Sequence, residues 1–72
     1  MAHKKTKIYI ELYGDRQFQG YLKRIGRTKA WVESTLVLDE AKNYAKIDTA
    51  QSDIERVAKM THGALTGYCT IG

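Results

Sequence analysis

Residues 7–13, Lys-Ile-Tyr-Ile-Glu-Leu-Tyr, alternate strictly, with Ile8, Ile10 and Leu12 on one side and Tyr9, Glu11 and Tyr13 on the other. A period of two over this length predicts a half-buried β-strand. Gly14-Asp15 reads as a turn. Beyond it Phe18, Gly20 and Leu22 alternate against Gln19, Tyr21 and Lys23, so the two runs predict an antiparallel hairpin. A second break at Gly26-Arg27-Thr28 precedes Lys29-Ala-Trp-Val-Glu33, which is rich in strand formers and predicts a third strand. In that strand either Trp31 or the Ala30/Val32 pair turns inward.

The spacing changes after Ser34-Thr35. Leu38, Ala41 and Tyr44 recur at every third position, which predicts a short helical turn that lays Tyr44 onto the core. A longer helix follows, with Asp48 or Thr49 as its N-cap and Gln51 as a capping-box partner. Ala50, Ile54, Val57, Ala58 and Thr61 mark one stripe at helical spacing. Lys59 and His62 fall in the last turn, where positive charge suits the dipole, and Gly63 is a natural left-handed stop. Ala64–Gly72 alternates again, with Leu65, Cys69 and Ile71 inward and Thr66, Tyr68 and Thr70 outward. The order β-β-β-(short α)-α-β predicts an α+β two-layer sandwich: a mainly antiparallel sheet with one principal helix packed on one face.

One helix leaves the other face of the sheet uncovered. If Ile8, Ile10, Leu12, Phe18, Leu22, Leu65 and Ile71 pack under it, alternation puts Tyr9, Tyr13, Tyr21 and Tyr68 on the open face, beside Lys7 and Lys23. Exposed aromatic patches tend to mark contact sites. The stretch Gln17–Val32 adds Arg24, Arg27 and Lys29 around its turn, and Trp31 after it. The candidate partner-binding residues are therefore Tyr9, Tyr13, Tyr21, Lys23, Arg24, Arg27, Lys29, Trp31 and Tyr68.

Charge sharpens the picture. Residues 1–29 hold eight Lys/Arg against two acids, a balance of +6, whereas residues 30–72 hold four against six, a balance of −2. Such asymmetry favours an anionic partner on one side of the molecule. Seventy-two residues bury one small core, so a single domain over 1–72 is expected, with residues 1–6 flexible. The lone Cys69 excludes an internal disulfide and every multi-cysteine metal motif; it reads as a small buried apolar residue. A Gly-rich phosphate loop, a His-Glu metal pair and a carboxylate couple are all missing, so neither catalysis, a metal nor a cofactor is expected. No apolar run approaches the roughly 20 residues of a membrane span. His3-Lys4-Lys5-Thr6-Lys7 leads into a strand rather than an apolar signal segment, and a cytoplasmic location is expected.

The succession of strands, Leu38-x-x-Ala41-x-x-Tyr44, the cap at Asp48-Thr49, Ala50 opening a helix with Ile54 and Val57, and a closing strand resembles small bacteriophage and prophage accessory proteins, among them anti-CRISPR proteins. The resemblance covers residues 7–71 and rests on residues that fix a fold. It implies a non-enzymatic protein that binds a host protein or nucleoprotein complex in the host cytoplasm; a monomer or homodimer is expected. Two other classes compete. In one, a single-stranded RNA or DNA module stacks bases on Tyr9, Tyr21 and Tyr68 while Lys23, Arg24, Arg27 and Lys29 neutralise phosphates. In the other, a homo-oligomeric structural protein buries its tyrosine face against a copy of itself.

Overall fold

The structure, a computed structural model, describes residues 7–72. The six residues before them, expected to be flexible, lie outside the described residues. Strands β1 (Ile8–Gly14), β2 (Gln17–Ile25), β3 (Val32–Thr35) and β4 (Leu65–Ile71) form one antiparallel sheet in the order β3-β2-β1-β4. A single 3₁₀ turn, Leu38–Glu40, and one helix, α1 (Ile47–Met60), complete the α+β domain that the periodicities predict. No helix among the described residues is long and apolar enough to cross a membrane.

The core lies between the sheet and α1. Ile8, Ile10 and Leu12 of β1 meet Leu22 of β2, Tyr44, and Ala50 and Val57 of α1, with Ile25, Val32, Ile54, Leu65 and Cys69 at the margins. Burying each large aliphatic side chain contributes about 1.5–3 kcal/mol, which is substantial for so small a domain. Gly67 lets the helix come close to β4. A Cβ there would stand 2.9 Å from Ile10 Cγ2 and 3.1 Å from Ile54 Cγ1.

Two β-bulges alter the expected alternation. From Leu12 to Tyr13, β1 advances one residue while β2 passes from Gly20 to Phe18, so Gln19 is extra. The extra residue reverses the side on which Phe18 emerges: it is 43 % exposed on the open face, not in the core as alternation alone predicts. Gly20, at φ +112° and with the Thr35 carbonyl oxygen 2.9 Å from where a Cβ would be, supplies the backbone conformation beside this bulge. The second bulge makes Lys23 extra between Leu22 and Arg24.

The third strand starts three residues later than predicted, because Gly26 N–H donates to the Trp31 carbonyl at 2.9 Å and keeps residues 26–31 in a wide turn. Val32 therefore points inward and Trp31 stays 46 % exposed, its ring against Gly26. Ile71, expected in the core, is 72 % exposed: it is the last residue of β4, and β4 is the edge of the sheet among the described residues.

The segment before α1 replaces a missing strand contact. Lys42 N–H donates to Leu22 O, and Tyr44 exchanges both backbone bonds with Ile8, which wedges residues 42–44 between β2 and β1. With Tyr44 anchored there the helix starts at Ile47 and Lys46 takes the N-cap position, so neither Asp48 nor Thr49 caps it; Asp48 instead lies in the first turn. The other end stops short of Gly63: Thr61 is the C-cap, so Lys59 falls in the last turn as predicted, whereas His62, expected there too, lies beyond it. His62 and Gly63 adopt positive φ, and Gly63 N–H closes on Ala58 O at 2.8 Å.

Tyr44 also ties this segment to the helix through its side chain. Its hydroxyl donates to Asp53 Oδ2, Lys42 Nζ stands 3.3 Å from the same oxygen, and the Lys42 ammonium lies 5.2 Å from the Tyr44 ring centroid. Burial first, and the bond to the Asp53 carboxylate second, push the Tyr44 hydroxyl well above its ordinary value. The folded state thus keeps a proton that the unfolded chain releases near the ordinary tyrosine value of 10.0. The stability this contributes is complete below that pH and falls as pH rises above it. Replacing Tyr44 with Phe is expected to lower stability at neutral pH by about 1–3 kcal/mol, through the lost bond to a charged group. Thermal unfolding followed by circular dichroism from neutral to strongly alkaline pH should show the parent losing stability more steeply than Tyr44→Phe; parallel curves would disprove the assignment.

Candidate interaction surface

Alternation on β1 and β4, together with the Gln19 bulge on β2, brings four rings to one end of the face that α1 leaves open. Glu11 is opposite both Tyr21 and Tyr68 in the ladder, and Tyr13 is opposite Phe18 and Thr66. The rings form a row in the order Tyr68, Tyr13, Phe18, Tyr21, with successive centroids 5.5, 5.6 and 5.3 Å apart and every contact edge-to-face. Tyr68 is 55 % exposed, and Tyr13 and Tyr21 are half-buried. Edge-to-face contact sets the positive rim of one ring against the negative face of the next and holds the row in place.

Glu11 lies within this row and accepts a hydrogen bond of 3.3 Å from the Tyr13 hydroxyl. Crowding by its surroundings, then the Glu11 charge, raises the Tyr13 hydroxyl above its ordinary value. The patch is aromatic, with hydroxyl tips and one carboxylate.

The remaining candidates are placed elsewhere. Tyr9 shares the open side by alternation, yet it is only 6 % exposed. A Cβ on Gly72 would stand 2.8 Å from its ring and 3.1 Å from Leu38 Cδ2, so the end of the chain and the 3₁₀ turn close over it. This corrects the expectation that Tyr9 belongs to the exposed row. Lys23 is held at the same covered end, 3.8 Å from Glu33 and 3.5 Å from Glu40. Arg24 is exposed and stands beside Glu33 in the ladder.

Arg27 and Lys29 leave the aromatic face altogether. The β2–β3 turn leans toward α1, where Arg27 and Arg56 line an open groove of about 350 Å³ with Asp48, Thr49, Ser52 and Asp53. A smaller hollow of about 210 Å³ collects Lys29, Arg56 and Met60 beside it. The tyrosines and the basic turn, expected as one surface, are thus two, separated by the sheet. Trp31 belongs to the turn and not to the row. Phe18 is the residue that alternation missed; Gly20 so near a predicted strand centre is the one signal of a bulge.

Among the described residues no group of three His, Cys, Asp or Glu side chains is placed to hold a metal ion. No protein family, curated protein or solved structure matches this chain, so the chemistry of its two surfaces is what bears on function.

Proposed function

We propose that this chain is a non-enzymatic binding protein, of the phage-accessory, anti-CRISPR-like kind it resembles, which engages a host protein or nucleoprotein complex in the host cytoplasm through Tyr13, Phe18, Tyr21 and Tyr68. The observation that carries this reading is the four-ring row on the uncovered end of the sheet. Tyrosine and phenylalanine give a large contact area with few rotatable bonds, and rings already packed on one another lose little further freedom on binding. Their hydroxyl tips and the Glu11 carboxylate add directional bonds at the rim.

Charge placement separates this reading from single-stranded nucleic acid binding. Stacked bases need cations near the platform to meet their phosphates. Here Lys23 is engaged by two carboxylates, the exposed Arg24 stands beside Glu33 in the ladder, Arg27 and Lys29 lie on the helix side, and the carboxylate within the row is Glu11. That arrangement favours a protein surface.

Replacing Phe18 and Tyr68 with Ser is expected to leave the melting temperature within a few degrees of the parent, because both side chains are about half-exposed. The same change should weaken retention of the partner by about 1 kcal/mol or more for each ring at the centre of the contact. Arg27→Ser/Lys29→Ser should retain the partner, before and after nuclease treatment. If the arginine–lysine variant alone loses the partner, with a logarithmic salt slope reduced by about 0.7 per lost phosphate contact, nucleic acid binding by the basic turn replaces this reading.

A further inference from the structure

β4 ends the sheet, and among the described residues no segment pairs with its outer edge. The direction of its free groups follows from the ladder with β1. Ile8 uses both its N–H and its C=O on Tyr44, and Gly72 donates to Lys7. In the β1–β4 register, Thr66, Tyr68 and Thr70 therefore bond inward, and Leu65, Gly67, Cys69 and Ile71 aim their N–H and C=O groups outward. The Leu65 N–H is capped by the Thr61 hydroxyl at 3.1 Å.

The two edges of the sheet are protected differently. β3 is four residues long, carries Glu33 and lies against a bulge. Short, charged, irregular edges resist further pairing. β4 runs for seven residues, Leu-Thr-Gly-Tyr-Cys-Thr-Ile, with no charge, no proline and no break in register. Large apolar side chains are exposed beside it: Tyr68 at 55 % and Ile71 at 72 % on the strand, and Ile47 at 54 % on α1. Because Thr49, Ser52, Arg56 and Met60 face the β2–β3 turn, helical spacing puts Ile47, Gln51 and Ala58 on the opposite flank, toward β4, with Glu55 at its border.

We propose that β4 pairs with β4 of a second copy, antiparallel about a two-fold axis through Tyr68, forming one continuous sheet across a homodimer. Outward-bonding residues must meet outward-bonding residues, and centring on Tyr68 achieves this while keeping all seven residues of the strand paired. Gly67 exchanges bonds with Cys69 of the second copy, and Ile71 N–H donates to its Leu65 carbonyl, which the Thr61 cap leaves free. Thr66 then faces Thr70, Leu65 faces Ile71, and Tyr68 faces itself; hydroxyl, aliphatic and aromatic pairs of this kind are favourable cross-strand neighbours. An uncharged strand gives no electrostatic preference for a foreign strand, whereas self-pairing sets Thr against Thr, Leu against Ile and Tyr against Tyr, with the small Gly67 opposite Cys69. The pairing does not rest on what the aromatic row binds, and it would join two such rows end to end.

Sedimentation equilibrium on the purified chain is expected to give about twice the 8.2 kDa mass of one copy. Tyr68→Lys, which puts two ammonium groups face to face on the axis, should sediment as a folded monomer, and Tyr68→Phe as a dimer. Tyr68→Cys in a Cys69→Ser background should form a disulfide-linked dimer on mild oxidation, since directly opposed residues of a non-hydrogen-bonded pair lie about 4.5 Å apart at Cα, within disulfide reach. A parent that sediments as a monomer at every soluble concentration overturns the proposal. So does a dimer that survives Tyr68→Lys, or one that cross-links through Phe18→Cys but not through Tyr68→Cys, as a face-to-face dimer would. Partner retention by Phe18→Ser reports on the aromatic face alone, which keeps failure of that reading separate from failure of this one.

Discussion

One helix, Ile47–Met60, has to close the apolar side of a four-stranded sheet. A helix about 10 Å across spans about two strands spaced some 4.8 Å apart. α1 therefore rests on β1 and β4, where Gly67 admits Ile54, and the remainder of that side is closed by irregular chain: residues 42–44, wedged between β1 and β2, and the β2–β3 turn. Tyr44 belongs to both devices, since its backbone extends the sheet at Ile8 and its hydroxyl reaches Asp53 on the helix.

Among the described residues no helix covers the opposite side of the sheet, and the chain treats the two ends of that side differently. At one end the 3₁₀ turn brings Leu38 beside Tyr9, and Glu40 beside Lys23, so an aromatic ring and an ammonium are both withdrawn from free contact. At the other end the rings of Tyr68, Tyr13, Phe18 and Tyr21 lean on one another, edge to face. Such a row hides part of its own apolar surface while remaining available, which is the compromise an exposed binding face requires between solubility and contact area.

Much of this was legible in the sequence, and what was not has a physical cause. Alternation assigned β1 correctly from Ile8 to Tyr13, and Tyr68 of β4 emerges on the side it predicts. The left-handed Gly63 after the helix followed from local chemistry alone, whereas His62, expected in the last turn, is left-handed too and lies outside it. Phe18 failed because a bulge inverts every side chain beyond it, and an extra residue such as Gln19 has no hydrophobic signature of its own. Tyr9 failed because its cover comes from residues about thirty and sixty positions away, a contact that no local period encodes. Arg27 and Lys29 were separated from the tyrosines by the direction in which a wide turn leans, toward a hollow it shares with Arg56 and Met60, and no local period encodes that direction.

The bulge at Gln19 decides whether the open face carries a fourth ring, and with it the continuity of the aromatic row. Nuclear Overhauser contacts of the Phe18 ring test this directly in the folded chain. Contacts from the Phe18 ring to the rings of Tyr13 and Tyr21, together with broadening of its signals by a soluble paramagnetic probe, are the expected result. Contacts from Phe18 to the methyl groups of Leu22 and Val57, with its signals protected from the probe, would instead put it in the core and break the row on which the binding face depends.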